Sequence, residues 1–400
     1  MDVELIDEGQ YEQTMRETVL PALERCKREG WMRSHNPSAV GAESAAGASS
    51  VKSAASASPS PSPSPSDDRL VQGAATGAPV GVDLAAAEGP DRLHFVCYEA
   101  ARFDELALPG SQGRHRGVVI ISHGFTEFAG KYSEMAWYFL MAGYTVCILE
   151  HWGHGLSGRG LSDPNLVWVD SYERYVDDLA AFCEEMAADY GGDQPVCLYA
   201  HSMGAGIAAA LLERHPMLID RAVLSSPMIA PKTGLPLPVT TAAVGAACAL
   251  GMSQDKVPFH HRFDPSAEPA DADAGNASLP RLRWVHAQRA ANRAYQTSAA
   301  TYGWVQQAIA LSRDLLKPAH CDQVEAASLV FQASPDTFVL PKPQDRFVDQ
   351  VRTGGSEATL VRVPRSTHEL YTMPNAALGP YLKQILTFFA EPYSLSSEAM

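Results

Sequence analysis

"VCLYAHSMGAGIAAALL", residues 196–212, leads from the apolar run Val196 to Tyr199 through His201-Ser202-Met203-Gly204 into an Ala-rich helical pattern. A buried strand, a turn bearing one serine and a helix therefore follow one another directly. Ala200 and Gly204 stand two positions before and two after the serine, and small neighbours are what a strained strand-to-helix turn requires. Such a turn lifts the Ser202 hydroxyl to the carboxyl end of its strand, where open α/β sheets bind ligands. The helix that begins near Met203 aims main-chain N–H groups and its positive dipole end at the same point. A G-x-S-x-G pattern alone is weak evidence, its first position here is Ala, and a serine in a turn is usually only that. The surrounding chain decides.

Outward from this stretch, the sequence alternates strand and helix. Apolar strand-like runs lie at 93–100, 117–124, 144–151, 195–202, 221–229, 328–334 and 358–364. Between them, "SYERYVDDLAAFCEEMAADY" places Tyr172, Tyr175, Val176, Leu179, Cys183 and Met186 on one helical face, with Asp170 or Ser171 as its cap. "KYSEMAWYFLMAG" ends on Gly143, a helix stop. Continuous apolar strands separated by helices predict an α/β fold, a mostly parallel central sheet covered on both faces. The rhythm breaks over 230–327, an insertion placed to form a helical cap over the mouth of the sheet. The core then comprises 91–229 and 328–400.

Residues 8 to 32 read as an N-terminal helix, within a first segment 1–35. Tyr11, Met15, Val19, Leu23 and Cys26 form one stripe, and Pro21 should bend or split it. Residues 36–90 are rich in Ala, Ser, Gly and Pro and include "SPSPSPSPS" at 58–66. Such a composition buries too little apolar area to offset its ordering entropy, so a disordered linker is expected there.

The chain has 400 residues, is 46% hydrophobic and carries a net charge of −15. The acidic balance argues against nucleic acid as a partner and against electrostatic docking on anionic lipid. "MDVELIDEGQ" is not a secretory signal, and no run has the length and purity of a spanning helix. Several of the seven cysteines, among them Cys97, Cys147 and Cys197, fall inside strand-like runs, and none has zinc spacing. Buried thiols in a reducing cytoplasm are the expectation.

A serine hydroxyl needs a base to take its proton and a carboxylate to orient that base. On a fold of this kind the acid follows a later strand and the histidine occupies the last loop. Asp336 follows the 328–334 strand in "ASPDTFV", and His368 follows 358–364 in "RSTHEL". Asp345 is a second candidate acid, though it reads as part of the next helix. His320 is a second candidate base, though it precedes the acid-bearing strand. An oxyanion needs two N–H donors, expected from Met203 and, after the 117–124 strand, from Phe125 in "HGFTEF".

With these residues in place, "ISHGFTEFAGKYSEMAWYFLMAGYTVCILEHWGHGLSGR", "AHSMGAGIA", "TYGW", "QDRFV" and "THEL" resemble the monoacylglycerol lipase and bacterial lysophospholipase branch of the α/β-hydrolases. The resemblance runs from about Leu93 to Ala390. It implies nucleophile Ser202, acid Asp336, base His368 and oxyanion donors Phe125 and Met203, with neither cofactor nor metal. The chain departs from that family at Ala200, at Ser334-Pro335 before the acid, and in its linker. His151 and His154 in "HWGHG" form a His-x-x-His, but the resemblance implies a turn there, with His154 hydrogen-bonded. The pair His260-His261 has no carboxylate pattern beside it.

The implied activity is cleavage of a carboxylic ester of a lysophospholipid or monoacylglycerol. Other readings are a small-ester carboxylesterase, an aminopeptidase-like hydrolase of the same fold, and an inactive fold that serves as a binding protein. Dehalogenase or epoxide hydrolase chemistry would need Asp where Ser202 stands. "LPLPVTTAAVGAACALGM" (235–252) is expected to belong to the cap core; the alternative is an apolar lip that contacts a membrane peripherally.

Overall fold

The computed structural model describes residues 3–35, 89–258 and 260–391. An eight-stranded sheet runs in the order β1-β2-β4-β3-β6-β7-β9-β10. Its strands are β1 (Lys27–Arg33), β2 (Arg92–Tyr98), β3 (Val118–Ser122), β4 (Thr145–Leu149), β6 (Val196–His201), β7 (Arg221–Ser225), β9 (Ala327–Ser334) and β10 (Ala358–Pro364). β1 and β2 run antiparallel to their neighbours, and every pairing from β4 across to β10 is parallel. A detached pair joins β5 (Leu166–Val167) to β8 (Ala299–Ala300).

All seven expected strands are present, most with shorter ends. Every residue of β3, β4, β6 and β7 is buried, which is why these strands read as unbroken apolar runs rather than alternating ones. Alternate side chains feed two separate cores. Ile120, Leu198 and Ala200 pack with the helices Tyr172–Tyr190, Ser202–Arg214 and Tyr302–Asp314. Ile121, Ile148 and Tyr199 pack on the other face, with Ser133–Met141, Asn375–Ala390 and the N-terminal helix. Ser171 caps Tyr172–Tyr190 by accepting from the Glu173 N–H.

The N-terminal segment corrects its sequence reading. The stripe Tyr11, Met15, Val19, Leu23 and Cys26 is buried as expected, but helix ends at Cys26. Lys27 turns extended, and residues 27–33 form β1, paired in register with β2 from Lys27↔Tyr98 to Arg33↔Arg92. Pairing with an open sheet edge outweighs local helical periodicity there. Pro21 does not break the helix: Leu20 N–H bonds to Met15 O in a π turn over Met15–Val19, which absorbs the proline's missing donor.

Most of the expected linker, and its Ser-Pro run, lies outside the described residues. Its flanks meet: Ser34 N–H donates to Asp91 O at 2.6 Å. Between β7 and β9 the chain forms the helices Leu237–Ala249, Leu279–Ala291 and Tyr302–Asp314, with one-turn helices at Asp271–Ala274 and Pro318–Cys321.

Candidate active site

β6 ends at His201 and a helix starts at Ser202 with no residue between them. Ser202 takes a φ of 52°, a left-handed conformation that a side chain adopts only under surrounding constraint. Gly204 supplies the room, since a Cβ there would stand 2.3 Å from Ser122 O and 2.4 Å from His123 O. The helix can therefore approach the end of β3 closely. His201 gives this helix no side-chain cap, so the N–H groups of its first turn, Met203 included, remain unspent within the helix.

The ends of β9 and β10 deliver the other two groups. His368 Nε2 lies 2.7 Å from Ser202 Oγ, and its Nδ1 lies 2.7 Å from Asp336 Oδ2. Asp336 Oδ1 accepts from the N–H groups of Phe338 (2.8 Å) and Val339 (3.1 Å). Burial works against its charge, but the His368 contact and those two amides hold the carboxyl below its ordinary value. Ser366 ties the loops together by accepting from Ser334 N–H and donating to Val363 O. The sequence-expected Ser202, Asp336 and His368 thus form one hydrogen-bonded chain.

Phe125 lies in the loop after β3. Its main-chain N–H has no acceptor among the described residues, and its ring packs 4.2 Å from that of Trp304 and 5.9 Å from that of His154. The same loop carries a group that the sequence reading did not single out. Glu127, 3% exposed, accepts from Gly124 N–H, Tyr132 OH, Tyr371 OH and Lys131 Nζ, with His201 Nδ1 at 3.2 Å. Burial opposes its ionisation, yet Lys131 and His201 outweigh that and hold the carboxyl well below its usual range. Lys131 also reaches Glu369 at 2.7 Å, and His201 Nε2 lies 3.3 Å from His368 O. One buried carboxylate therefore braces the Phe125 loop, the Ser202 turn and the His368 loop. The only signal in sequence was an acid set between Phe125 and Phe128, with a lysine four residues on.

A second buried carboxylate, Glu150 at the end of β4, accepts from Ala129 N–H (2.8 Å), Leu156 N–H (2.6 Å) and His94 Nδ1 (2.9 Å). Burial disfavours the charged imidazole of His94, but Glu150 and Glu29 on either side raise it to about 9. The edge strand β1, through Glu29, and its neighbour β2, through His94, thereby support the loop that carries Phe125.

The alternative candidates lie elsewhere. Asp345 sits in the helix Pro341–Thr353 and pairs with Arg362 at 2.9 Å. His320 Nδ1 is 3.8 Å from Glu213. His151 bonds Ser122 Oγ at 2.9 Å, His154 Nδ1 bonds Trp152 O at 3.2 Å, and His154 Nε2 has no partner. Burial, then neighbouring imidazoles, keep both His151 and His154 far below the ordinary histidine value. His260 Nδ1 accepts from Ala300 N–H. Among the described residues no group of three or more His, Cys, Asp or Glu is arranged to hold a metal.

Residues 113–374 match the family described as serine aminopeptidase, S33. Lysophospholipase L2 of Escherichia coli K12 is 29% identical over 287 residues, spanning 69% of this chain and 81% of that protein. The monoacylglycerol lipase of Mycolicibacterium smegmatis is 29% identical over 264 residues, 66% of this chain and 85% of its own. Among solved structures, a soluble variant of monoglyceride lipase from Saccharomyces cerevisiae has a TM-score of 0.57 at 15% identity, covering 75% of this chain and 91% of that one. A carboxyl esterase from Bacillus coagulans gives 0.58 at 15%, over 74% and 93%. At such identities the two structures speak to the α/β-hydrolase fold alone.

Proposed function

This chain belongs to the serine aminopeptidase S33 family, and we propose that it cleaves carboxylic esters of lipids, lysophospholipids or monoacylglycerols, through an acyl-enzyme on Ser202. The observation that carries this reading is the pair of 2.7 Å contacts linking Asp336 to His368 and His368 to Ser202. Ser202 Oγ attacks the ester carbonyl as His368 Nε2 takes its proton. Asp336 stabilises the imidazolium, and the amides of Phe125 and Met203 receive the oxyanion. His368 passes the proton to the leaving alcohol, then activates the water that hydrolyses the acyl-enzyme. The relatives named for lysophospholipid and monoacylglycerol cleavage support the substrate class.

Fluorophosphonate labelling tests the nucleophile: the wild type is expected to label and Ser202→Ala is not. A panel of long-chain lysophosphatidylcholine, monoacylglycerol and short p-nitrophenyl esters tests the substrate. Faster turnover of the short esters than of both lipids would overturn the lipid assignment in favour of a small-ester carboxylesterase.

We assign 91–229 and 328–400 to the core and 230–327 to a cap whose outer helix meets lipid. The helix Leu237–Ala249 buries only Thr240 and Val244. Leu235, Val239, Leu250 and Met252 are exposed around it, and exposed Phe338 lies 5.0 Å from the His368 ring. No helix among the described residues is long and apolar enough to cross a membrane, so this contact is peripheral. Flotation with neutral phosphatidylcholine vesicles should fall several-fold in Leu235→Ser/Val239→Ser/Leu250→Ser; unchanged flotation would remove the cap from the contact. All seven cysteines are unpaired, which fits a reducing compartment such as the cytoplasm.

A further inference from the structure

A second opening lies on the same rim of the sheet. An open cleft of about 790 Å³ runs between the segment after β4, residues 155–164, and Arg293-Ala294 of the insertion. β2 is antiparallel to β4, so Arg92, its first residue, stands at the carboxyl end of β4 and joins the lining. Among the described residues, three arginines and no carboxylate line the cleft, in a chain with 46 acidic against 31 basic residues. The nearby acids are engaged elsewhere: Asp91 with Arg174 and Asp163 with Arg262.

Arg159 is the fixed element of this wall. Its guanidinium donates to the carbonyls of Pro164 (3.0 Å), Gly155 (2.6 Å) and Ala294 (3.4 Å). Those bonds orient the fork without neutralising it, and they leave N–H donors over. No carboxylate lies within ion-pair distance of Arg159 or of exposed Arg293 among the described residues. Desolvation lowers the pKa of Arg159, with only the more distant Glu150 opposing it. A held, partly desolvated and uncompensated guanidinium beside two more arginines is a receptor for an anion, and phosphate oxygens match its geometry best.

The cleft adjoins the loop that carries Phe125. Phe128, at the end of that loop, stacks on Tyr295 at 4.1 Å, two residues after Arg293. His154, 5.9 Å from the Phe125 ring, directly precedes Gly155 of the lining. Two strand spacings, roughly 10 Å, separate β4 from β6 and Ser202. A glycerophosphate chain and an arginine side chain together cover that span.

We propose that this arginine-lined cleft binds the phosphate of the substrate's headgroup, so that phosphate-bearing lysolipids are preferred over neutral monoacylglycerols. The assignment rests on the lipid-ester reading above and narrows it. The test uses the full chain with lysophosphatidylglycerol and 1-monoacylglycerol of the same acyl chain. In the wild type the ratio of kcat/KM for the first over the second should exceed one, and in Arg293→Gln it should fall about tenfold, through KM. Arg293 is exposed and needs no repacking, so it keeps the test open if Arg159→Gln, which ties three chain segments together, fails to fold. An unchanged ratio in Arg293→Gln, with both lipids cleaved, overturns the cleft and leaves the lipid-ester reading standing. Cleavage of neither lipid by wild type that still labels with fluorophosphonate overturns both. Glycerol 3-phosphate should inhibit lysolipid cleavage more strongly than inorganic phosphate. Equal inhibition by the two, without a substrate preference, would identify a free-phosphate site and overturn the headgroup assignment.

Discussion

Ser202 is reached by a 2.7 Å contact from His368, and a carboxylate that touches neither braces the segments beside both. Glu127 sits at the junction of three loops, with donors from the Phe125 loop, the residue before Ser202 and the segment after His368. On the proposed mechanism it is a positioning residue. In Glu127→Gln we expect kcat to fall roughly 10- to 100-fold, with the fluorophosphonate labelling rate falling in parallel and KM little changed. Glu127→Asp should recover part of the loss. A variant that melts at a lower temperature but turns over at the wild-type rate would assign Glu127 to stability alone. The sequence exposed Ser202, Asp336 and His368 because each follows an apolar strand. Glu127 also follows an apolar strand, β3, but nothing in the local pattern sets it apart from an ordinary loop acid, since its importance comes from partners as distant as Tyr371.

Three helical elements meet on one buried ion pair. Arg281 of the insertion helix Leu279–Ala291 grips Glu134 of Ser133–Met141 through Nε and Nη2 at 2.8 and 2.7 Å. Tyr11 of the N-terminal helix and Tyr138 donate their hydroxyls to the same carboxylate. Glu8 adds bonds from Ser278 Oγ and Asn375 N–H. The N-terminal helix therefore fastens the insertion to the core. Removing one partner strands a buried charge: Arg281→Met should cost about 3–5 kcal/mol in urea unfolding. Glu134→Gln in the same chain should restore most of it, because the neutral amide accepts from one tyrosine through Oε1 and donates to the other through its NH2. Equal destabilisation in single and double variants would mean that packing, not charge, fastens these elements. The break in strand–helix rhythm between β7 and β9 was legible; the clamp was not, because no local pattern connects residues 11, 134 and 281.

Across the whole molecule, the strands on either side of the low-complexity segment are neighbours in the sheet. β1 and β2 are paired as far as Arg33↔Arg92, and the next residues are stapled. Arg174 donates to Ser34 Oγ and Asp91 Oδ1, while Asp178 accepts from Ser34 Oγ and His35 N–H. Both ends are held by contacts among the described residues. Replacing 37–88 with a short Gly/Ser turn should leave lipid hydrolysis intact. Shortening the loop through three halvings should stabilise the fold by about 2 kcal/mol, read as a higher melting temperature. Loss of folding or of turnover would show that the segment contributes more than a connection.

Residues 196–212, with the strands on either side, determined by themselves that this is an α/β-hydrolase with Ser202 at a strand-to-helix turn. Burial on both faces writes a parallel strand as an unbroken apolar run, and the strained turn writes itself as small residues around Ser202. Tertiary structure alone decided that residues 27–33 are a strand rather than helix, that Glu127 and Arg281 each unite three segments, and that three arginines far apart in the chain share one cleft. Edge pairing and buried charge are settled by neighbours distant in sequence, so a local pattern carries no trace of them.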